Sequence, residues 1–188
     1  MIQIDTESLL NAEELIERYK EDWGIIRQSR AENENQPFEP LTNIKYIIAI
    51  DDKDNKIVGH SGWGEFGGHY LDAGGRVLTD RKVGKGKYQL PKGRNYEGKG
   101  LYSRLFDIRG KMVEPLCEAK DKLFVVSTSG DKKVIHKCGT RNYILYAPEL
   151  PEEIEEIGRA NNKMLFVHVP PTLKNRVAKA LRRLLEVQ

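Results

Sequence analysis

Cysteine is scarce in this 188-residue chain: Cys117 and Cys138 are the only two, too few for a disulfide framework or a metal site. Both read as plain core residues, in a reducing compartment. Long apolar runs are missing as well. The longest, Tyr46 to Ile50, falls far short of the ~20 residues that a helix needs to cross a bilayer, so no membrane partner is expected. Met1-Ile-Gln-Ile-Asp5 lacks a basic stretch leading into an apolar one, which argues against a signal peptide and for a cytoplasmic protein. His60, His69, His136 and His168 show neither i+4 nor H-x-H spacing, so no metal is expected. The acidic run from Asp51 to Lys56 is turn chemistry and not a calcium loop: counted from Asp52 it has no glycine at the sixth position, and Trp63 stands where the twelfth should be Glu.

Charge of one sign is also nearly balanced out, at +3 overall, too little to imply nucleic acid by itself. Its distribution is more informative. Arg81, Lys82, Lys85, Lys87, Lys92, Arg94 and Lys99 face a single acid, Glu97, in a glycine-rich stretch. A second basic set (Lys174, Arg176, Lys179, Arg182, Arg183) and an acidic one (Glu149, Glu152, Glu153, Glu155, Glu156) read as solvated helix faces. The length suits one domain, 1–188, burying roughly 70% of its unfolded surface.

Periodicity supplies the elements. Residues 1–5 alternate as a short strand. Asn11-Ala-Glu-Glu14 forms a capping box, followed by a helix stripe of Leu15, Tyr19, Trp23 and Ile26 reaching about Arg30, with Gly24 as a potential interruption. Tyr46 to Ile50 and Ile57 to Phe66 make a hairpin, and Val77-Leu78 marks another strand within 74–80. Leu101, Leu105, Ile108, Met112 and Leu116 then define an amphipathic helix that Pro115 ends or kinks. Leu123 to Val126 reads as a buried strand, and Asp131 to Cys138 as a helix closed by Gly139. Tyr143 to Tyr146 and Met164 to Val169 are strands around a helix that starts near Pro151. An amphipathic helix spans 172–187. Strands interleaved with helices give an α/β (α+β) fold, a sheet packed on both faces.

Chemistry concentrates in Arg94-Asn-Tyr-Glu-Gly-Lys-Gly-Leu-Tyr-Ser-Arg-Leu-Phe106. Two glycines one residue apart stand behind a strand and just before a helix. They permit backbone angles that turn successive N–H groups inward, and the open first turn of the helix adds donors and partial positive charge. The product is a cradle for a diphosphate. Arg81-Lys-Val-Gly-Lys-Gly86 carries a similar glycine spacing, but Lys87-Tyr-Gln-Leu-Pro-Lys-Gly93 follows it and cannot be an amphipathic helix. The cradle is therefore placed at Glu97, Gly98, Lys99, Gly100, Leu101 and Tyr102, and 81–96 is read as an inserted basic loop.

The stretch Tyr96 to Phe106 resembles the coenzyme A signature of the GNAT acetyltransferase superfamily, Q/R-x-x-G-x-G/A followed by a helix. Tyr46-Ile-Ile-Ala-Ile-Asp51 with Asn55-Lys-Ile-Val-Gly59 is similar to the hairpin upstream, and Lys137-Cys-Gly139 to the end of the helix after the fifth strand; the matched order covers about residues 44–147. Two positions depart from the pattern, Glu97 for Gln or Arg and Tyr102 for Gly or Ala. Ile135 stands where many members carry a tyrosine acid. The resemblance implies a single GNAT-like domain with a mixed, mostly antiparallel sheet of six to seven strands and helices on both faces. It further implies direct transfer of an acetyl group from acetyl-CoA to an amine. Pantetheine would lie between the strand at Val77 to Thr79 and the strand ending at Ser127 and Thr128, with a backbone N–H at Leu78 or Thr79 polarising the thioester. Candidate bases are Glu65, Asp72 and Asp80, and His136 is the candidate acid. The acceptor is a small-molecule or macromolecular amine; the basic loop admits a nucleic-acid-linked one, and a homodimer is compatible. An acyl-CoA-binding module without catalysis is the alternative.

Overall fold

In the computed structural model, which describes residues 1–25, 41–81, 90–120, 122–128, 132–139, 143–145 and 164–168, Asn11 opens the first helix as its sequence predicts. Asn11 Oδ1 accepts the N–H groups of Glu13 (2.9 Å) and Glu14 (3.0 Å), and Glu14 accepts the Asn11 N–H in return at 2.7 Å. Helix α1 (Ala12–Trp23) stops well before Arg30, because Gly24 adopts φ +65° and forms a left-handed C-cap. Seven strands follow the order β1-β2-β3-β4-β5-β7-β6 in one sheet. They are β1 (Ile2–Leu10), β2 (Thr42–Asp51), β3 (Lys56–Phe66), β4 (His69–Val77), β5 (Phe124–Thr128), β6 (Tyr143–Leu145) and β7 (Met164–His168). Among the described residues only β4 and β5 run parallel; the other pairs are antiparallel. The mixed, mostly antiparallel sheet of the sequence reading is thus present.

Helices cover both faces. A Cβ on Gly59 would stand 3.2 Å from Leu105 Cδ1 of α2 (Leu101–Lys120), so that face of β3 belongs to α2. His60, next along, points the opposite way. There its Nδ1 lies 2.6 Å from the Tyr19 hydroxyl of α1. The third helix, α3 (Lys132–Gly139), follows β5. Leu15, Tyr19, Ile47, Leu105, Phe106 and Phe124 form much of the core, each at most 1% exposed. Truncating one such leucine to alanine costs ~2–5 kcal/mol.

Two helix expectations hold only in part. Leu101 and Leu105 of the expected stripe are buried, and Ile108 and Met112 are half-buried against the core, but Leu116 is 37% exposed, and the fully buried line runs on through Arg109, Val113 and Cys117. Pro115 does not end the helix, which continues to Lys120. The residue lies on the wet side of the helix, as does Lys111, whose carbonyl loses its donor. The strand expected within 74–80 begins earlier, at His69, and ends at Val77. The helices expected from Pro151 and over 172–187, and residues 82–89 of the basic loop, lie outside the described residues.

Candidate functional site

At the centre of the sheet β4 and β5 pair through Tyr70 with Phe124 and Leu71 with Val125, and no further pair joins them among the described residues. Past this apex the two strands form a fork. A bulge in β4 accompanies the parting: Gly62 pairs with Gly74 but Trp63 with Asp72, leaving Ala73 as the extra residue. Gly74 takes φ +86°, open to glycine and strained for other residues. Leu78 N–H donates to Val58 O on the β3 side at 2.9 Å. By strand alternation the N–H and C=O of Val77 and Gly75 then turn toward the fork. This corrects the expected donor Leu78, whose amide is committed to β3. Thr79 is also partly engaged, since its carbonyl accepts Leu90 N–H at 3.1 Å. Ser127 and Thr128 end β5 on the other limb, paired with Leu165 and Met164 of β7.

The glycine loop stands at the open end of the fork. Gly98 and Gly100 adopt φ +79° and +73°, and a Cβ on either would meet nothing within 4 Å. Their left-handed turns lead directly into α2 at Leu101, whose first turn contains no acidic residue. Upstream the loop is tied down. Tyr96 N–H donates to Leu78 O at 3.1 Å, and its hydroxyl donates to Asp51 Oδ2 at 2.8 Å. Burial pushes the Asp51 carboxyl up, but the hydrogen bonds from Tyr96 and from Lys53 N–H outweigh it and leave the group below its ordinary range. Glu97 N–H donates to Asn95 Oδ1 at 2.9 Å, an Asx turn into the first glycine.

The charges around the loop are deployed as follows. Arg94 is turned to other partners: its Nη1 donates to Asp54 Oδ2 at 2.8 Å, and its guanidinium lies 5.5 Å from the Trp23 ring centroid. Glu97 leans toward Arg81, 3.9 Å away, and is exposed. Lys99 and Arg104 are exposed beside the glycines. Lys137 of α3 is a further cation at this mouth, donating to Ser103 Oγ at 2.6 Å and lying 5.1 Å from the Tyr102 ring centroid. It was legible only as part of the α3 ending, with no cue to its direction. Tyr102 packs on the floor of the fork, where a Cβ on Gly75 would be 3.2 Å from its Cε2.

The candidate acid–base residues do not converge. Glu65 pairs in register with Tyr70 below the apex, and its Oε2 lies 3.5 Å from Lys122 Nζ. Asp72 accepts both the Gly74 N–H, at 2.8 Å, and an Arg109 N–H, so it is not available as a base. Asp80 accepts Gly93 N–H at 3.2 Å near the glycine loop. His136 is exposed on α3. Among the described residues no group of His, Cys, Asp and Glu is arranged to hold a metal, and no helix is long and apolar enough to cross a membrane. A diphosphate fits the mouth by chemistry, since two unobstructed left-handed glycines, a helix amino terminus and exposed cations meet there.

Comparison with solved structures identifies the architecture. An acetyltransferase of the GNAT family from Staphylococcus aureus Mu50 aligns with a TM-score of 0.50 at 16% identity, over 89% of this chain and 98% of that one. The ribosomal-protein-S18-alanine N-acetyltransferase of Escherichia coli aligns at 0.47 and 10% identity, over 89% and 91%. A GNAT family acetyltransferase from Elizabethkingia anophelis with acetyl-CoA bound aligns at 0.44 and 12% identity, over 90% and 97%. No family model and no curated protein sequence matches the chain.

Proposed function

From the GNAT-type fold and the fork in its sheet, we propose that this chain is an acetyl-CoA-dependent N-acetyltransferase acting on a primary amine. The observation that carries the reading is the pairing of β4 and β5 at only two positions among the described residues, with the Gly98 and Gly100 turns and the amino terminus of α2 at the open end. In this reading the backbone N–H groups from Gly98 to Tyr102 grip the diphosphate, and Lys99, Arg104 and Lys137 add charge. The pantetheine arm lies along the fork and bonds the outward-turned groups of Val77 and Gly75, with Ser127 and Thr128 on the facing limb. Acetyl-CoA supplies the activated acyl carbon. A backbone N–H of β4 near the bulge stabilises charge on the carbonyl oxygen.

The amine must lose a proton as it attacks. Glu65 takes that role in this reading, because Asp72 is engaged with Arg109 and Asp80 stands at the diphosphate end. His136 remains the candidate donor to the departing thiolate. The acceptor is a small or macromolecular amine, and the basic residues from Arg81 to Arg94 favour an acidic or nucleic-acid-linked one.

A second reading, an acyl-CoA-binding module without catalysis, draws on Tyr102 packing against Gly75 and on Ile135 where an acid would stand. Titration calorimetry with coenzyme A, followed by mass analysis of amines, aminoacylated tRNA and base-modified DNA incubated with acetyl-CoA, separates the readings. Binding with acetylation that Glu65→Gln abolishes supports the enzyme. Binding without product supports the module, and no binding overturns both.

A further inference from the structure

The most buried charge among the described residues bears on the fork. Arg109 of α2 is 0% exposed. Its guanidinium carbon lies 4.7 Å from the Phe106 ring centroid and 5.3 Å from that of Phe124. From this aromatic slot its Nη1 donates to the Asp72 carboxylate on β4, and it lies 3.4 Å from the Gly62 carbonyl on β3. Those two residues flank the bulge at Ala73. The same Asp72 oxygen accepts Gly74 N–H at 2.8 Å and holds the left-handed turn that follows. One guanidinium therefore staples both strands of the bulge to the helix whose other end forms the glycine cradle.

A hydrophobic residue would fill the slot without desolvating a charge, so packing alone does not account for an arginine here. What the arginine adds is direction, a hydrogen bond aimed at each side of the extra residue. Arg109 stands eight positions after Leu101, where the helix starts, about 12 Å along the axis at 1.5 Å per residue. The helix is in effect a strut between the open end of the fork and its apex.

We infer that Arg109 and Asp72 are positioning residues, which hold the β4 bulge at a fixed distance from the cradle and so set the geometry in which the fork receives an acyl-pantetheine arm. This inference rests on the coenzyme reading of the site. Neither side chain is assigned a contact with the reacting atoms; both act through the backbone of β4.

The test compares two ligands on the whole chain by calorimetry. Acetyl-CoA engages cradle and fork, whereas 3'-phosphoadenosine 5'-diphosphate keeps the diphosphate and lacks the arm. In Arg109→Met the affinity for acetyl-CoA should fall at least tenfold, with that for the nucleotide unchanged within about twofold. Arg109→Lys should recover part of the loss. Because a lone buried carboxylate endangers folding, the double variant Arg109→Met/Asp72→Leu removes both charges and should show the same split. A role confined to stability lowers the melting temperature and leaves the ratio of the two affinities at its wild-type value, which overturns the inference. Equal weakening of both ligands overturns it as well. Failure of the wild-type chain to bind either ligand is a different outcome: it removes the coenzyme reading, and the positioning role falls with it.

Discussion

His168 offers a direct measure of the electrostatics around the buried arginine. It lies on β7, 9% exposed, with its ring centroid 6.5 Å from that of Phe124. Burial, and secondarily the charge of Arg109, push its imidazole down to about 4 from an ordinary 6.5. The folded chain therefore keeps His168 neutral across a range in which the unfolded chain binds a proton. Stability from this source is complete above about pH 6.5, declines as pH falls, and stops declining below about pH 4. At 1.36 kcal/mol per unit the full effect is about 3 kcal/mol. By pH 4.5 about 2.5 kcal/mol of it is gone. Carboxylates titrate in the same window, so the informative quantity is a difference. Urea unfolding of the wild type and of His168→Gln at pH 7 and pH 4.5 gives four free energies. The wild type should lose about 2.5 kcal/mol more than the variant over that interval. Parallel losses, within about 0.5 kcal/mol, would refute the argument and show that His168 accepts its proton in the folded state.

Three further outcomes follow from the site and its supports. Gly98→Pro or Gly100→Asp should weaken coenzyme A binding at least tenfold by calorimetry, while Gly84→Asp changes it little; equal effects would move the cradle to the other glycine pair. Tyr96→Phe removes the donor to the buried Asp51 carboxylate and should cost about 1–3 kcal/mol in urea unfolding, with a smaller loss at a pH where Asp51 is protonated. Cys117, whose thiol burial pushes up to about 12, should resist iodoacetamide at pH 8 in the folded chain and react once urea is added; rapid native labelling would contradict its burial.

Much of the architecture was legible because local signals agreed with tertiary ones. The capping box at Asn11, the β2–β3 hairpin and the glycine pair before Leu101 each announce a feature whose chemistry is local. Features decided by partners distant in sequence were less legible. The true buried line of α2 passes through Arg109, and a charged residue in that line steered the apolar count to Ile108, Met112 and Leu116 instead. The spacing of four from Leu101 through Leu105, Arg109, Val113 and Cys117 was there to be seen. It becomes persuasive only when Asp72 is known to lie opposite. The start of β4 was hidden for a related reason: Asp72, Gly74 and Gly75 carry turn composition, yet they make a bulge inside a strand. Arg94 illustrates the converse, a cation near the cradle in sequence that packs on Trp23 in space.

The chain from Leu90 to Tyr96 is tied back to the end of β4 at two points. Leu90, only 3% exposed, returns to the Thr79 carbonyl, and Tyr96 returns to that of Leu78. Adjacent residues at the end of β4, Leu78 and Thr79, thus hold both Tyr96 and Leu90. The end of β4 is therefore coupled directly to Tyr96, the residue that leads into the glycine loop. A disturbance at the end of β4 is passed to the cradle across a single backbone hydrogen bond, between Leu78 and Tyr96, and need not travel along the chain that separates them.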